Sequence, residues 1–220
     1  MLFVALSALQ GRPMASAFDE LARLGAGIQL TPGNLPTPRF DAHVAASGLA
    51  TRRHHGFSYQ LRRTDVWQAG ACVTDAESVH PPLAGEPWRA WYEATITRPI
   101  VEVMYPGHAL GTGEEVEAAM ADSFPLAVDV SHVYIQLSQG AMTEATWRRL
   151  QSYPHIAEVH ASANDGRRDA HQPISLDNFG IGWVREQLAA GAPVILECYM
   201  HRMAVDARRA QLDVLREAVS

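Results

Sequence analysis

In the second half of the chain, apolar runs of about strand length alternate with amphipathic stretches, and each run carries an acid or a histidine near its end. The runs are residues 99–106 (PIVEVMYP), 126–137 (LAVDVSHVYIQL), 156–165 (IAEVHASAND) and 193–200 (PVILECYM). Between them stand helix patterns with their own start and stop signals. Acidic residues lead the stretch after Gly111, Thr143 is placed to cap the stretch to Pro154, and Gly191 stops the one from Phe179 to Ala190. A last amphipathic stretch runs from Ala204 to Val219. Strands apolar on both faces that alternate with helices predict a parallel sheet covered by helices.

The first half extends the pattern. Residues 2–9 read as a buried strand rather than the short apolar core of a signal segment, because a helix pattern follows at once. That helix puts Met14, Phe18, Leu21 and Leu24 on one face, with Pro13 at its start and Gly25 at its stop. Residues 27–32 form a short strand, 33–47 a loop with at most one turn of helix, and 49–58 a strand that ends in the pair His54–His55. Residues 60–97 read as a long connection with a helix near Pro87 to Thr95.

The prediction is an α/β parallel (β/α) barrel of TIM type, one domain over residues 1–220, with seven clear strands. A closed barrel of this kind takes eight strands and typically ~250 residues. Either a strand is hidden in residues 60–97 or the barrel is incomplete, and an open edge would then need a partner subunit or a second copy to cover it. The alternative, an open doubly wound sheet, lacks a glycine-rich phosphate loop in its support.

Composition bounds the function. No stretch approaches the ~20 uncharged apolar residues that span a bilayer. The net charge is −6, and all 18 basic residues are arginine. That balance argues against tight, sequence-independent binding to nucleic acid; the partner expected is a small-molecule substrate. Two cysteines, Cys72 and Cys198, make no disulfide framework, which suits the cytoplasm.

In a parallel barrel the C-terminal strand ends share one face, and active sites are built there. Glu102, Asp129, His160 and Glu197 end four successive strands of this kind. Four such groups on one face repel or stay desolvated unless a cation binds them, so a divalent metal site is expected. Mixed oxygen and imidazole donors suit Mn, Mg, Co, Zn or Fe. Asp129 and His132 are spaced D-x-x-H, so His132 either joins a second metal or touches substrate. Asp169 and His171 form D-x-H, read either as a second metal pair or as a loop held by its own Asx turns. Arg167 or Arg168 could grip an anionic or hydroxylated substrate. Side chains alternate along a strand, so one of His54 and His55 faces the mouth; His55 is the one favoured. His43, His80, His108, His155 and His201 have no spacing that singles them out.

The run of Glu102, Asp129-x-x-His132, His160, Asp169-x-His171 and Glu197 resembles the xylose isomerase-like barrel superfamily, which holds sugar isomerases, epimerases and endonuclease IV-like enzymes. The resemblance extends from about Pro99 to Met200, with residues 52–58 similar to the histidine-bearing third strand. In the epimerase branch it implies one divalent metal on Glu102, Asp129, His160 and Glu197. Glu102 and Glu197 would exchange a proton on opposite faces of the substrate, and His132 would contact a substrate oxygen. In the endonuclease branch it implies further metals on His132, Asp169, His171 and His55. The functions expected are therefore a metal-dependent isomerase or epimerase of a small hydroxylated carbonyl compound, a metal-dependent hydrolase or oxidase, or a non-catalytic barrel subunit.

Overall fold

The structure is a computed structural model that describes residues 1–31, 37–54, 76–94 and 98–217. Eight strands run in one parallel sheet: β1 (Leu2–Ala5), β2 (Gly27–Leu30), β3 (Thr51–Arg53), β4 (Ser78–Val79), β5 (Ile100–Val103), β6 (Leu126–Asp129), β7 (Ile156–Ala161) and β8 (Val194–Leu196). Their spatial order is β3-β2-β1-β8-β7-β6-β5-β4. The two ends of that order meet: His54 forms a parallel bridge with Ser78, and the Glu77 N–H donates to the Arg53 carbonyl at 2.9 Å. The sheet thus curls into a nearly closed barrel of TIM type. The strand missing from the sequence reading is β4. It is two residues long, too short to show a period, and lies in the stretch read as a connection.

The helices are α1 (Met14–Ala22), α2 (Pro38–Ser47), α3 (Trp88–Ala94), α4 (Gly113–Ala121), α5 (Val130–Ser138), α6 (Glu144–Gln151), α7 (Ile181–Ala189) and α8 (Val205–Arg216). Local chemistry starts and stops them. Thr112 and Glu115 form a reciprocal capping box on α4. Thr143 accepts from the Thr146 N–H on α6, at 3.1 Å. Among the described residues, no helix is long and apolar enough to cross a membrane.

Two segments depart from the sequence reading. Residues 38–47 form a ten-residue helix, not a loop. Thr37 caps it, Pro38 takes its first turn and Gly48 ends it in the left-handed region, so the start and stop signals outweigh its weak apolar stripe. Residues 126–137 are not one strand. Strand β6 ends at Asp129, whose carboxylate accepts the Ser131 N–H at 2.7 Å and opens α5. An uncapped apolar run is ambiguous between strand and buried helix, and the cap decides it here.

Alternation along the strands sorts two layers. Val4, Val101, Val103, Leu126, Val128, Val159, Val194 and Leu196 belong to the main core, shared with the helices. Phe3, Ala5 and Ile195 form a separate small cluster on the lumen side. The rest of the lumen is polar, contrary to the expectation of strands apolar on both faces. Gln29, Ser78 and Glu158 are fully buried there, and Arg52 reaches Glu158 across the barrel.

Candidate metal centre

Every ligand expected at the centre stands at a C-terminal strand end or just beyond it, so the strand directions alone bring them together. Register sets their heights: Asp129 pairs with His160, and Glu102 lies two residues lower, beside Ala127. Glu102, Asp129 and His160 are 1% exposed or less, and Glu197 is 7% exposed.

Glu102 is the hub. Its Oε2 lies 3.2 Å from Nε2 of His54 and 3.2 Å from Nε2 of His80. Its Oε1 lies 3.2 Å from Nδ1 of His132 and 3.6 Å from Nδ1 of His160. His160 Nδ1 also faces Glu197 Oε1 at 3.4 Å. His132 Nε2 stands 3.5 Å from Asp129 Oδ2 and 3.5 Å from Asp169 Oδ2, and that same Asp169 oxygen meets His171 Nε2 at 3.0 Å. His132 reaches the centre from the first turn of α5 rather than from a strand.

Below this ring lies Glu158, two residues before His160 and on the same strand face. It accepts from His160 Nε2 at 2.6 Å, Ser78 Oγ at 2.6 Å, Arg52 Nε at 2.6 Å and Gln29 Nε2 at 3.3 Å. Ser78 Oγ also meets His54 Nδ1 at 2.9 Å. Glu158 therefore ties down one nitrogen of His160 directly, and one of His54 through Ser78. In both rings the other nitrogen is left aimed at the glutamates above.

The titration behaviour reflects crowding. Burial alone pushes the Glu102 carboxyl up, but the charges of His80 and His160 and the close approach of His132 outweigh it and hold it well below its usual range. Burial opposes charge on His132 too, yet Asp129, Asp169 and Glu102 raise it well above the usual imidazole value. Glu197 and Glu102 do the same for His160. Glu197 moves the other way: burial and the charges of Glu102 and Asp129 raise it. Burial would raise Glu158 as well, but His160 and Arg52 bring it down to about 2.

These residues fit a divalent cation on their own geometry. Both Glu102 oxygens, Asp129 Oδ2, His132 Nε2 and His160 Nδ1 are buried without a hydrogen-bond partner among the described residues. Unpaired buried polar atoms are rare because they cost ~1–3 kcal/mol each. Three groupings bring their ligand atoms within 4.8 Å of one another: His54, His160 and Glu197; His54, His80 and Glu102; Glu102, Asp129 and His132. The four ligands expected from the sequence are spread over these groupings. Without a metal, protons on the histidines supply the positive charge the carboxylates demand, and a bound cation would displace them.

His54 faces the centre; it is 3% exposed and set by its bridge to Ser78. His55, the residue favoured from the sequence, lies outside the described residues. His80 also belongs to the centre, although no spacing marked it; it follows the unread strand β4. Glu158 was overlooked too, and the Glu158-x-His160 alternation was the signal for it. Asp169 and His171 are brought into the cluster. Arg167 and Arg168 are not: both are exposed, on the loop after β7.

No protein-family description matches this chain, and no curated protein does. Among solved structures it is similar to one titled a D-tagatose 3-epimerase-like protein, with a TM-score of 0.62 and 16% identity, over 100% of this chain and 99% of that one. The likeness is one of fold. It is the barrel fold that the resemblance to the xylose isomerase-like group implied, and it spans the first half, where the sequence resemblance was weak.

Proposed function

We propose that this chain is a divalent-metal enzyme that isomerises or epimerises a small hydroxylated carbonyl compound, with Glu102, Asp129, His160 and Glu197 as the ligand set. One observation carries the reading: Nδ1 of His160 has no hydrogen-bond partner among the described residues and is flanked by Glu102 at 3.6 Å and Glu197 at 3.4 Å, while its other nitrogen is fixed on Glu158. A carboxylate–imidazole pair of this kind orients a metal-binding histidine. When bound, the cation supplies Lewis-acid polarisation of a carbonyl oxygen. The residues supply the proton chemistry. Glu102 is placed to take the proton from the carbon between two oxygens, and Glu197, on the other side of His160, to return one on the opposite face. His132 holds a substrate oxygen. The fold of the epimerase-like structure supports this reading.

A second reading is hydrolysis or oxidation at a centre of two or three cations. The observation that favours it is the crowd around the four ligands: His54, His80, His132, Asp169 and His171 bring further nitrogen and carboxylate donors within 3.5 Å of other site residues. The acidic charge still disfavours nucleic acid as the substrate.

Metal content per chain, on protein purified without a chelator or a histidine tag, tests both. One equivalent of Mn, Co or Mg, with turnover of a ketose or keto acid abolished in Glu197→Gln, supports the first reading. Two or three equivalents of Zn or Fe overturn it in favour of the second. A protein that takes up no metal overturns both.

A further inference from the structure

Beneath the metal centre the donors to Glu158 divide unevenly between its two oxygens. Oε1 takes His160 Nε2 and Ser78 Oγ, each at 2.6 Å, and Gln29 Nε2 at 3.3 Å. Oε2 takes Arg52 Nε at 2.6 Å, from β3 across the lumen. The Arg52 side chain is 18% exposed, whereas that of Glu158 is fully buried. The guanidinium also lies over the Phe3 ring, 5.9 Å from its centroid, so it is held from a second side.

Proton counts give these bonds their directions. An ionised carboxylate only accepts, so His160 Nε2 carries the proton of its bond to Glu158. Nδ1 is then the nitrogen that faces Glu102 and Glu197. A serine hydroxyl has one proton, and Ser78 gives it to Glu158, so its oxygen accepts from His54 Nδ1 at 2.9 Å. Nε2 of His54 is then the nitrogen that faces Glu102, at 3.2 Å. One carboxylate orientation thus sets both rings. Donors gathered on Oε1 leave the carboxylate free to pivot about that oxygen, and the bond to Oε2 removes this freedom. A guanidinium suits the task, because its donors are planar and its charge permanent. We propose that Arg52 is a positioning residue: by holding Oε2 of Glu158 it fixes which nitrogen of His160 and, through Ser78, of His54 faces the centre, and with that the affinity for a divalent cation. The effect on affinity rests on His160 being a ligand, as proposed above; the effect on the rings does not.

The test is proton NMR of the metal-free protein with isotope-labelled histidine, in the wild type, Arg52→Met and Arg52→Lys, followed by titration of each with cobalt. In the wild type the His160 Nε2 proton is expected far downfield and slow to exchange with solvent, because its bond to a buried carboxylate is short. In Arg52→Met it should exchange at least about tenfold faster while the Val128 and Leu196 amides keep their rates, and cobalt affinity should fall at least about tenfold. Arg52→Lys keeps the charge without the planar donor and should lie in between. An unprotected ring proton in the wild type, or one unchanged in Arg52→Met, would overturn the proposal. So would faster exchange shared by the core amides, which would make Arg52 structural only, and so would unchanged cobalt affinity in a variant whose ring proton is freed. If Arg52→Met does not fold, Arg52→Lys is read alone, and wild-type behaviour in it overturns the proposal. A wild type that binds no cobalt but shows the expected ring-proton changes would overturn the metal reading and support the positioning of the rings.

Discussion

At the scale of single residues, Glu158 has the most consequences for the least exposure. Glu158→Gln keeps the volume but replaces an ionised acceptor with an amide, so the His160 ring loses its anchor and Arg52 loses its partner. Metal affinity should fall about 10- to 100-fold, measured by competition with a chromogenic chelator, while circular dichroism still reports a folded barrel. Protons compete for the same nitrogens. His132 and His160 hold protons above the ordinary imidazole range in the metal-free protein, so metal affinity should rise as pH is raised through neutrality. His171 gives a matching signal in stability. Burial opposes its charge, but Asp169 outweighs that and raises it to about 9 from 6.5. The charged form therefore stabilises the metal-free fold fully below about 6.5, and that contribution disappears as pH rises through about 9. The metal-free melting temperature should drop over that interval, and a flat profile would remove His171 from the network.

At the scale of elements, the junction beyond β6 packs closely against the turn before α7. Gly180 precedes α7 with φ at +74°, and a Cβ there would come within 2.8 Å of Val130 Cγ1 at the start of α5. Gly180→Ala should therefore destabilise the protein by roughly 1–3 kcal/mol through strain and overpacking, read by urea denaturation. Gly140→Ala is the comparison. Its φ is also positive, but no atom of the described residues lies within 4 Å of the added carbon, so its smaller loss isolates the clash. Caps made α4 and α6 legible in the sequence. Thr112 with Glu115, and Thr143, act within three or four residues of themselves, as a sequence reading assumes. Residues 130–137 were misread because their apolar run suits either structure, and the deciding contact is one capping bond from Asp129.

At the scale of the whole molecule, the barrel closes through its shortest strand. The seam between β3 and β4 rests on the His54–Ser78 bridge and the Glu77-to-Arg53 backbone bond, to which the Glu77 carboxylate adds a contact with the Arg53 N–H. Central strands such as β6 and β7 pair over several residues. In hydrogen exchange on the metal-free protein, the Glu77 amide should exchange well before those of Val128 and Val159. Metal should slow it, because His54 and His80 from the two sides of the seam both face Glu102. Uniform exchange across the strands would show that the seam is no weaker than the rest.

The alternation of strand and helix, the parallel barrel and the acids and histidines at the strand ends were all readable from the chain alone. They follow from side-chain period, capping and the burial of apolar surface, which act over a few residues. Among what required the folded structure are the two-residue strand β4, the place of His54 in the centre, and the roles of His80 and Glu158. Each depends on a partner far along the chain. His54 is set by Ser78, 24 residues away, and Glu158 by Arg52, 106 residues away. Register between distant strands is decided by closing the barrel, and no local period encodes it.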